Sequence, residues 1–245
     1  MKVLLTRPEG RNQQMQQALA DAGIPCMITP LMAVEANPAV AQLSPDQIVQ
    51  ADIIIFVSRN AVQFASQALA KPWPAHIRYF AVGQATLAAM ADVGITGQVA
   101  ADDNQQSEGL LLLPALQQLQ GKQVIIIRGN GGRELLAQTL TERGANVHYW
   151  EVYRRCCPPL DGQQISQAWQ TFGIDTILLT SPEMLDNLIA LVPKELFPWL
   201  SACHIIVPSN RAEAQAIAKG MTRVTNAGAA HSKAMLATLK SDHSA

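Results

Sequence analysis

Charged side chains are scarce in this sequence. Asp, Glu, Lys and Arg make up 15% of its 245 residues, against 49% hydrophobic. A chain so poor in charge and so rich in apolar residues builds a packed core, which excludes a disordered polypeptide. The few charges nearly cancel, with 18 basic and 19 acidic residues and a net charge of −1. That balance gives no bulk attraction to a phosphate backbone, so no nucleic-acid partner is expected. Long hydrophobic runs are also missing, and none approaches the roughly 18 residues of a membrane span. The apolar part of "MKVLLTRPEG" is too short for an export signal and reads as a first strand. A cytoplasmic protein with no membrane partner is expected, in one large domain or two small ones.

Other absences narrow the chemistry. The four cysteines, Cys26, Cys156, Cys157 and Cys203, form no C-x-x-C pair and have no histidine at zinc spacing. They read as reduced thiols. His76, His148, His204, His231 and His243 make no ligand pair at helical spacing. There is no G-x-S-x-G nucleophile elbow and no acidic cluster suited to a metal. Neither a metal site nor a covalent nucleophile is expected.

What is present is a rhythm. "KVLLT", "DIIIFV", "QVIII", "DTILLT" and "HIIVP" are strand-like runs, each followed by a helical pattern. Strand and helix in alternation predict parallel α/β architecture, with strands apolar on both faces. The rhythm also repeats. "VLLTRPEGRNQQMQQALADAG" aligns with "VIIIRGNGGRELLAQTLTERG" at an offset of 121 residues, setting Arg7 on Arg128 and Gly10 on Gly131. "DIIIFVSRN" aligns with "DTILLTSPE" at an offset of 123, setting Ser58 on Ser181. "FAVGQATLAAMADVGI" shadows "IIVPSNRAEAQAIAKGM". Two copies of one α/β unit are expected. Pro-bearing stretches at 34–47 and 154–164 suggest that the chain crosses between domains twice. One domain would hold residues 1–34 and 158–245, the other 37–153, with linkers near 34–37 and 153–158. A ligand cleft would lie between them.

The candidate site residues sit where strands end. "RGNGGRE" (128–134) follows a strand and precedes a helix. Gly129 and Gly131 begin a dinucleotide fingerprint, but Glu134 stands where its third glycine belongs, and no P-loop fits. The loop offers N–H groups to an anion, flanked by Arg128 and Arg133, or its glycines serve a tight turn. Arg7, Ser58, Thr86, Ser107, Ser181, Ser209 and Asn210 occupy comparable strand ends or helix starts. Ser and Thr there are also natural helix caps. Parallel sheets gather such ends along one edge, where ligands bind. So many donors would suit a ligand with many carboxylates. Tyr153 in "EVYRR" precedes the second Pro-bearing stretch and reads as either a proton donor or an interface tyrosine.

In order, "LLTRP", "VSRNAV", "FAVGQAT", "SEGLL", "RGNGGRELL", "VYRR", "LLTS" and "VPSNRAEA" span the whole chain. This series resembles the uroporphyrinogen-III synthase family, most closely its gammaproteobacterial type. The resemblance implies two flavodoxin-like domains on a two-stranded linker. It implies a cofactor-free lyase acting on hydroxymethylbilane, a linear tetrapyrrole with eight carboxylates. The terminal hydroxyl leaves as water, and a spiro-pyrrolenine route inverts ring D before closure to uroporphyrinogen III. It sets the family's tyrosine, proposed as general acid, on Tyr153, and its cleft hydroxyls on Thr86 and Ser181. Arg7, Ser58, Ser107, Arg128, Gly131 and Gly132 are expected to bind substrate with them. "VPSNR" departs from the family pattern, with Ser209 and Asn210 where many members carry Thr. A monomer is expected, taking its substrate from hydroxymethylbilane synthase. A non-catalytic two-domain binder for a small polyanion and a nucleotide-dependent α/β enzyme are the alternatives.

Overall fold

A computed structural model of the chain describes residues 1–38, 45–100, 107–132 and 134–243. The chain forms two compact units. Unit 1 holds Met1–Ala33 and Cys156–Ala245, and unit 2 holds Val34–Arg155.

Unit 1 is built on a five-stranded sheet of β1 (Val3–Leu5), β2 (Cys26–Ile28), β9 (Thr176–Leu178), β10 (His204–Val207) and β11 (Arg223–Asn226). Its spatial order is β11-β10-β9-β1-β2, all parallel. Every residue of β1, β9 and β10 is buried, as strands covered on both faces must be. One face packs on α7 (Gly162–Phe172), α8 (Pro182–Leu191), α9 (Phe197–Ala202) and α10 (Asn210–Ala218), through Trp169, Leu188, Leu200 and Ala216. The other packs on α1 (Gln13–Asp21) and α11 (Ser232–His243), through Met15, Leu19, Met235 and Leu239.

Unit 2 carries β3 (Ala33–Ala36), β4 (Ile53–Phe56), β5 (Arg78–Ala81), β6 (Gln98–Val99), β7 (Gln123–Gly129) and β8 (Asn146–Cys156), in the order β3-β8-β7-β4-β5-β6. The helices α2 (Pro45–Val49), α3 (Arg59–Leu69) and α4 (Gln84–Asp92) cover one face with Ile48, Ala65 and Met90. The helices α5 (Ser107–Leu110) and α6 (Leu135–Glu142) cover the other with Leu110, Leu136 and Leu140.

The two sheets share one plan. Take the strand pair that opens the repeat first, β1-β2 in unit 1 and β7-β8 in unit 2. Both sheets then read second, first, third, fourth, fifth across the page, the flavodoxin-like order. Unit 2 is the circular permutant, because its third to fifth strands (β4, β5, β6) come first in the chain. The amino-terminal edges repeat as well. Asp52, just before β4, accepts a hydrogen bond from the Gln123 N–H at 2.8 Å. Asp175, just before β9, accepts one from the Lys2 N–H at 3.1 Å.

The crossings between units are strands, as the two-stranded linker implied by the resemblance requires. Asn37 N–H donates to the Val152 carbonyl at 3.0 Å, and Cys156 Sγ reaches the Ala33 carbonyl at 3.9 Å. Those partners place β3 antiparallel to the end of β8. The exposed Arg154 and Glu35 pair across the ribbon at 2.5 Å. The structure departs from expectation at "SEGLLLLPALQQL", which the sequence presents as one helix. The structure stops α5 at Leu110 and restarts as a short 3-10 turn at Pro114–Leu116. Pro114 lacks the N–H a continuing helix needs and pushes Leu113 into extended backbone (φ −61, ψ 133). Among the described residues no helix is long and apolar enough to cross a membrane.

Candidate functional site

Unit 2 gathers most of the expected site at the carboxyl edge of its sheet. A hollow of about 210 Å³ is lined by Ser107, Arg128, Gly131, Gly132 and Tyr153, with Val57, Val82, Ile126, Gly129, Asn130, Leu136, Tyr149 and Arg155. Ser58 adjoins it, because its hydroxyl lies 3.1 Å from the Tyr153 hydroxyl. Thr86 is buried in the first turn of α4 and does not line the hollow. Arg133 lies outside the described residues.

A β-bulge aims Tyr153. β7 and β8 pair residue for residue up to Arg128 and Glu151, and then Gly129 meets Tyr153 instead of Val152. The extra residue breaks the alternation of faces, so Val152 and Tyr153 both pack into the same core cluster. The Tyr153 ring stacks on Phe64 at 5.9 Å and is only 5% exposed. Gly129 makes room for it, since a Cβ there would lie 2.4 Å from Tyr153 Cε2. Gly131 and Gly132 serve a different need: their φ values of 67° and 126° are conformations L side chains rarely adopt.

Ser58 is also the N-cap of α3, accepting from the Ala61 N–H at 3.1 Å. With that lone pair occupied, its own hydrogen can turn to the Tyr153 oxygen, which leaves the phenolic proton for a ligand.

Arg128 lies in a network the sequence did not disclose. Its Nη1 donates to Glu134 at 3.0 Å and its Nη2 to Glu151 at 3.0 Å. Its guanidinium sits 3.5 Å from the centre of the Tyr149 ring. Tyr149 donates in turn to Glu134 at 2.6 Å. Burial, then the Glu134 carboxylate, push the Tyr149 phenol up to about 12. The Tyr149 hydrogen bond and then Arg128 hold Glu134 below its ordinary value. Burial pulls the Arg128 guanidinium down, but its carboxylate and tyrosine neighbours outweigh burial and raise it.

Unit 1 repeats the arrangement in outline. An open hollow of about 570 Å³ at the end of β1 is lined by Arg7, Pro8, Gly10, Arg11, Gln13, Gln14 and Thr180. Thr180 escaped the sequence reading, which favoured its neighbour Ser181. Ser181 and Ser209 are the N-caps of α8 and α10, each accepting from a backbone N–H at 3.3 Å. Asn210 hydrogen-bonds Asn226. The caps match those of unit 2: Ser181 corresponds to Ser58, and Ser209 to Gly83, the N-cap of α4. Thr86, three residues into its turn, therefore corresponds to Ala212. Among the described residues no three His, Cys, Asp or Glu side chains gather to hold a metal ion.

Fold and edge chemistry define a class: a two-unit parallel α/β protein whose strand-end loops present amide, hydroxyl and guanidinium donors. A family model described as uroporphyrinogen-III synthase HemD matches residues 13–237. A uroporphyrinogen-III synthase of Salmonella typhimurium is 35% identical over 246 residues, covering 98% of this chain and all of that protein. The Escherichia coli enzyme is 34% identical over 247 residues, with the same coverage. Among solved structures, uroporphyrinogen-III synthetase of Helicobacter pylori shares the fold with a TM-score of 0.63 at 18% identity, over 98% of each chain. A mutant uroporphyrinogen III synthase of Thermus thermophilus shares it with a TM-score of 0.55 at 20% identity, over 98% of each chain. The chain belongs to the uroporphyrinogen-III synthase family.

Proposed function

We infer that the protein is a uroporphyrinogen-III synthase, a cyclising hydro-lyase of haem biosynthesis that acts on hydroxymethylbilane. The observation that carries the reading is the Tyr153–Ser58 pair, 3.1 Å apart at the hollow rimmed by Gly131 and Gly132. In this reading Tyr153 is the general acid. Its proton goes to the terminal hydroxyl, the C–O bond breaks and water leaves, while Ser58 donates to the phenolate that remains. The proton released as the macrocycle closes restores the phenol. Substrate carboxylates are taken by the donors of the strand-end loops, among them the Gly132 N–H and the side chains of Arg7, Ser107 and Ser181, while Gly131 shapes the loop. Ser58 contributes through Tyr153. Ser209 and Asn210 belong to the same edge of unit 1, and Thr86 acts from within its helix turn. Arg128 supports the loop.

Closure without inversion gives the type I isomer, so holding ring D for attack at its substituted carbon is the main task. The step needs no cofactor. The enzyme works in the cytoplasm as a monomer and receives its substrate from hydroxymethylbilane synthase.

The test supplies hydroxymethylbilane and measures the isomer ratio. Type III product is expected. A non-catalytic polyanion binder would return only type I, and that result would overturn the reading. Tyr153→Phe should slow type III formation about 10²-fold or more with little change in KM. Unchanged turnover would remove Tyr153 from the acid role.

A further inference from the structure

Arg7 and Arg128 are equivalent by strand register: Val3 pairs with Cys26 in one sheet as Val124 pairs with Val147 in the other. Their surroundings are opposite. Arg128 is met by two carboxylates, so its charge is more than cancelled. A further anion there would be repelled. Glu151 also accepts from the Gly131 N–H at 3.2 Å, so the same network ties down the loop.

Arg7 is half-buried and, among the described residues, donates only to neutral oxygens, Ser232 Oγ at 3.0 Å and the Ala230 carbonyl. No Asp or Glu among the described residues forms an ion pair with it. The repeat explains the difference. An offset of 121 residues puts Gln13, Ile28 and Pro30 where unit 2 has Glu134, Tyr149 and Glu151. Every group that neutralises or covers Arg128 is replaced by one without charge. Burial consequently pulls the Arg7 guanidinium below its ordinary value, the mark of a cation lacking a counterion. Arg7 opens on the large hollow of unit 1 beside Arg11 and Thr180.

We propose that Arg7 is the cation that takes a carboxylate of the linear tetrapyrrole, and that Arg128 is a positioning residue that holds the Gly131–Gly132 loop. The division rests on the substrate inferred above. A carboxylate at Arg7 supplies the missing charge through charge-assisted hydrogen bonds. At Arg128 it would first have to displace Glu134 or Glu151.

The experiment is steady-state kinetics of type III formation on full-length variants. Arg7→Gln should raise KM about ten-fold or more, and Arg7→Lys should recover part of the loss. Arg7 also fastens Ala230 and Ser232, so a second variant guards against misfolding. Gln14 is exposed on the same hollow, and Gln14→Glu adds a carboxylate to the hollow on which Arg7 opens. Its KM should rise several-fold while Tm stays at the wild-type value. Arg128→Gln should lower kcat and leave KM within two-fold. Arg128→Lys should not restore kcat, because an ammonium cannot fork to both carboxylates. A KM within two-fold of wild type in Gln14→Glu overturns the proposal, as does a ten-fold KM rise in Arg128→Gln. Wild-type protein giving only type I product defeats the functional reading and this proposal together. Type III product with an unmoved KM in Gln14→Glu defeats this proposal alone.

Discussion

Gly129 owes its identity to the ring of its register partner on the neighbouring strand. With a Cβ at 2.4 Å from Tyr153 Cε2, Gly129→Ala must displace the ring, the strand or both. Overpacking of this kind costs about 1–3 kcal/mol. The displaced ring would also lose its bond to Ser58, so kcat should fall with stability. Urea unfolding together with the isomer assay checks this, and a variant as stable and as active as wild type would refute it. The sequence announced the importance of "RGNGGRE" but not its parts. It treated three glycines as one unit, an anion loop or a tight turn, whereas the structure gives Gly129 a packing role and Gly131 and Gly132 the positive-φ backbone of a turn. The Arg128 network was illegible for a similar reason. Tyr149 and Glu151 stand 21 and 23 residues beyond Arg128, and only the β7–β8 register brings them under and beside it.

At the scale of elements, apolar runs and the matched offsets made the strands and the repeat readable. What escaped depended on pairing. No sequence pattern marks the bulge at Gly129, and the residue pattern alone gave the crossings only as Pro-bearing stretches, their pairing as two strands coming from the family resemblance. The repeated carboxylate at the amino-terminal edges offers a test of how the sheets are held. The Lys122 hydrogen bond and then the Gln123 N–H hold the Asp52 carboxyl below the usual range. A depressed folded pKa contributes stability above the unfolded value, near pH 4, that is lost as pH falls through the folded one. Asp52→Asn should therefore have a lower Tm than wild type at neutral pH. The gap should close as pH drops below about 4. A constant gap across thermal melts from neutral to acid pH would show that the carboxylate charge is not what fastens β4 to β7.

For the whole molecule, each unit carries a core on both faces of its own sheet. Unit 2 also begins and ends on neighbouring antiparallel strands, so its two ends meet. A fragment spanning residues 34–155 should thus fold alone, with a single cooperative urea transition followed by circular dichroism. A gradual, non-cooperative loss of signal would mean that unit 2 depends on its neighbour. The circular permutation has one more consequence, for synthesis. β1 leaves the ribosome ahead of unit 2, yet Val3 pairs with Thr176, which emerges only after it. Unit 2 is complete while unit 1 is only an opening strand–helix–strand with one side of β1 unmatched. At about 5–20 residues per second the closing segment takes several seconds more to appear. During translation, then, residues 1–33 are made before unit 2 yet sheltered after it, and a holding chaperone would find its work there.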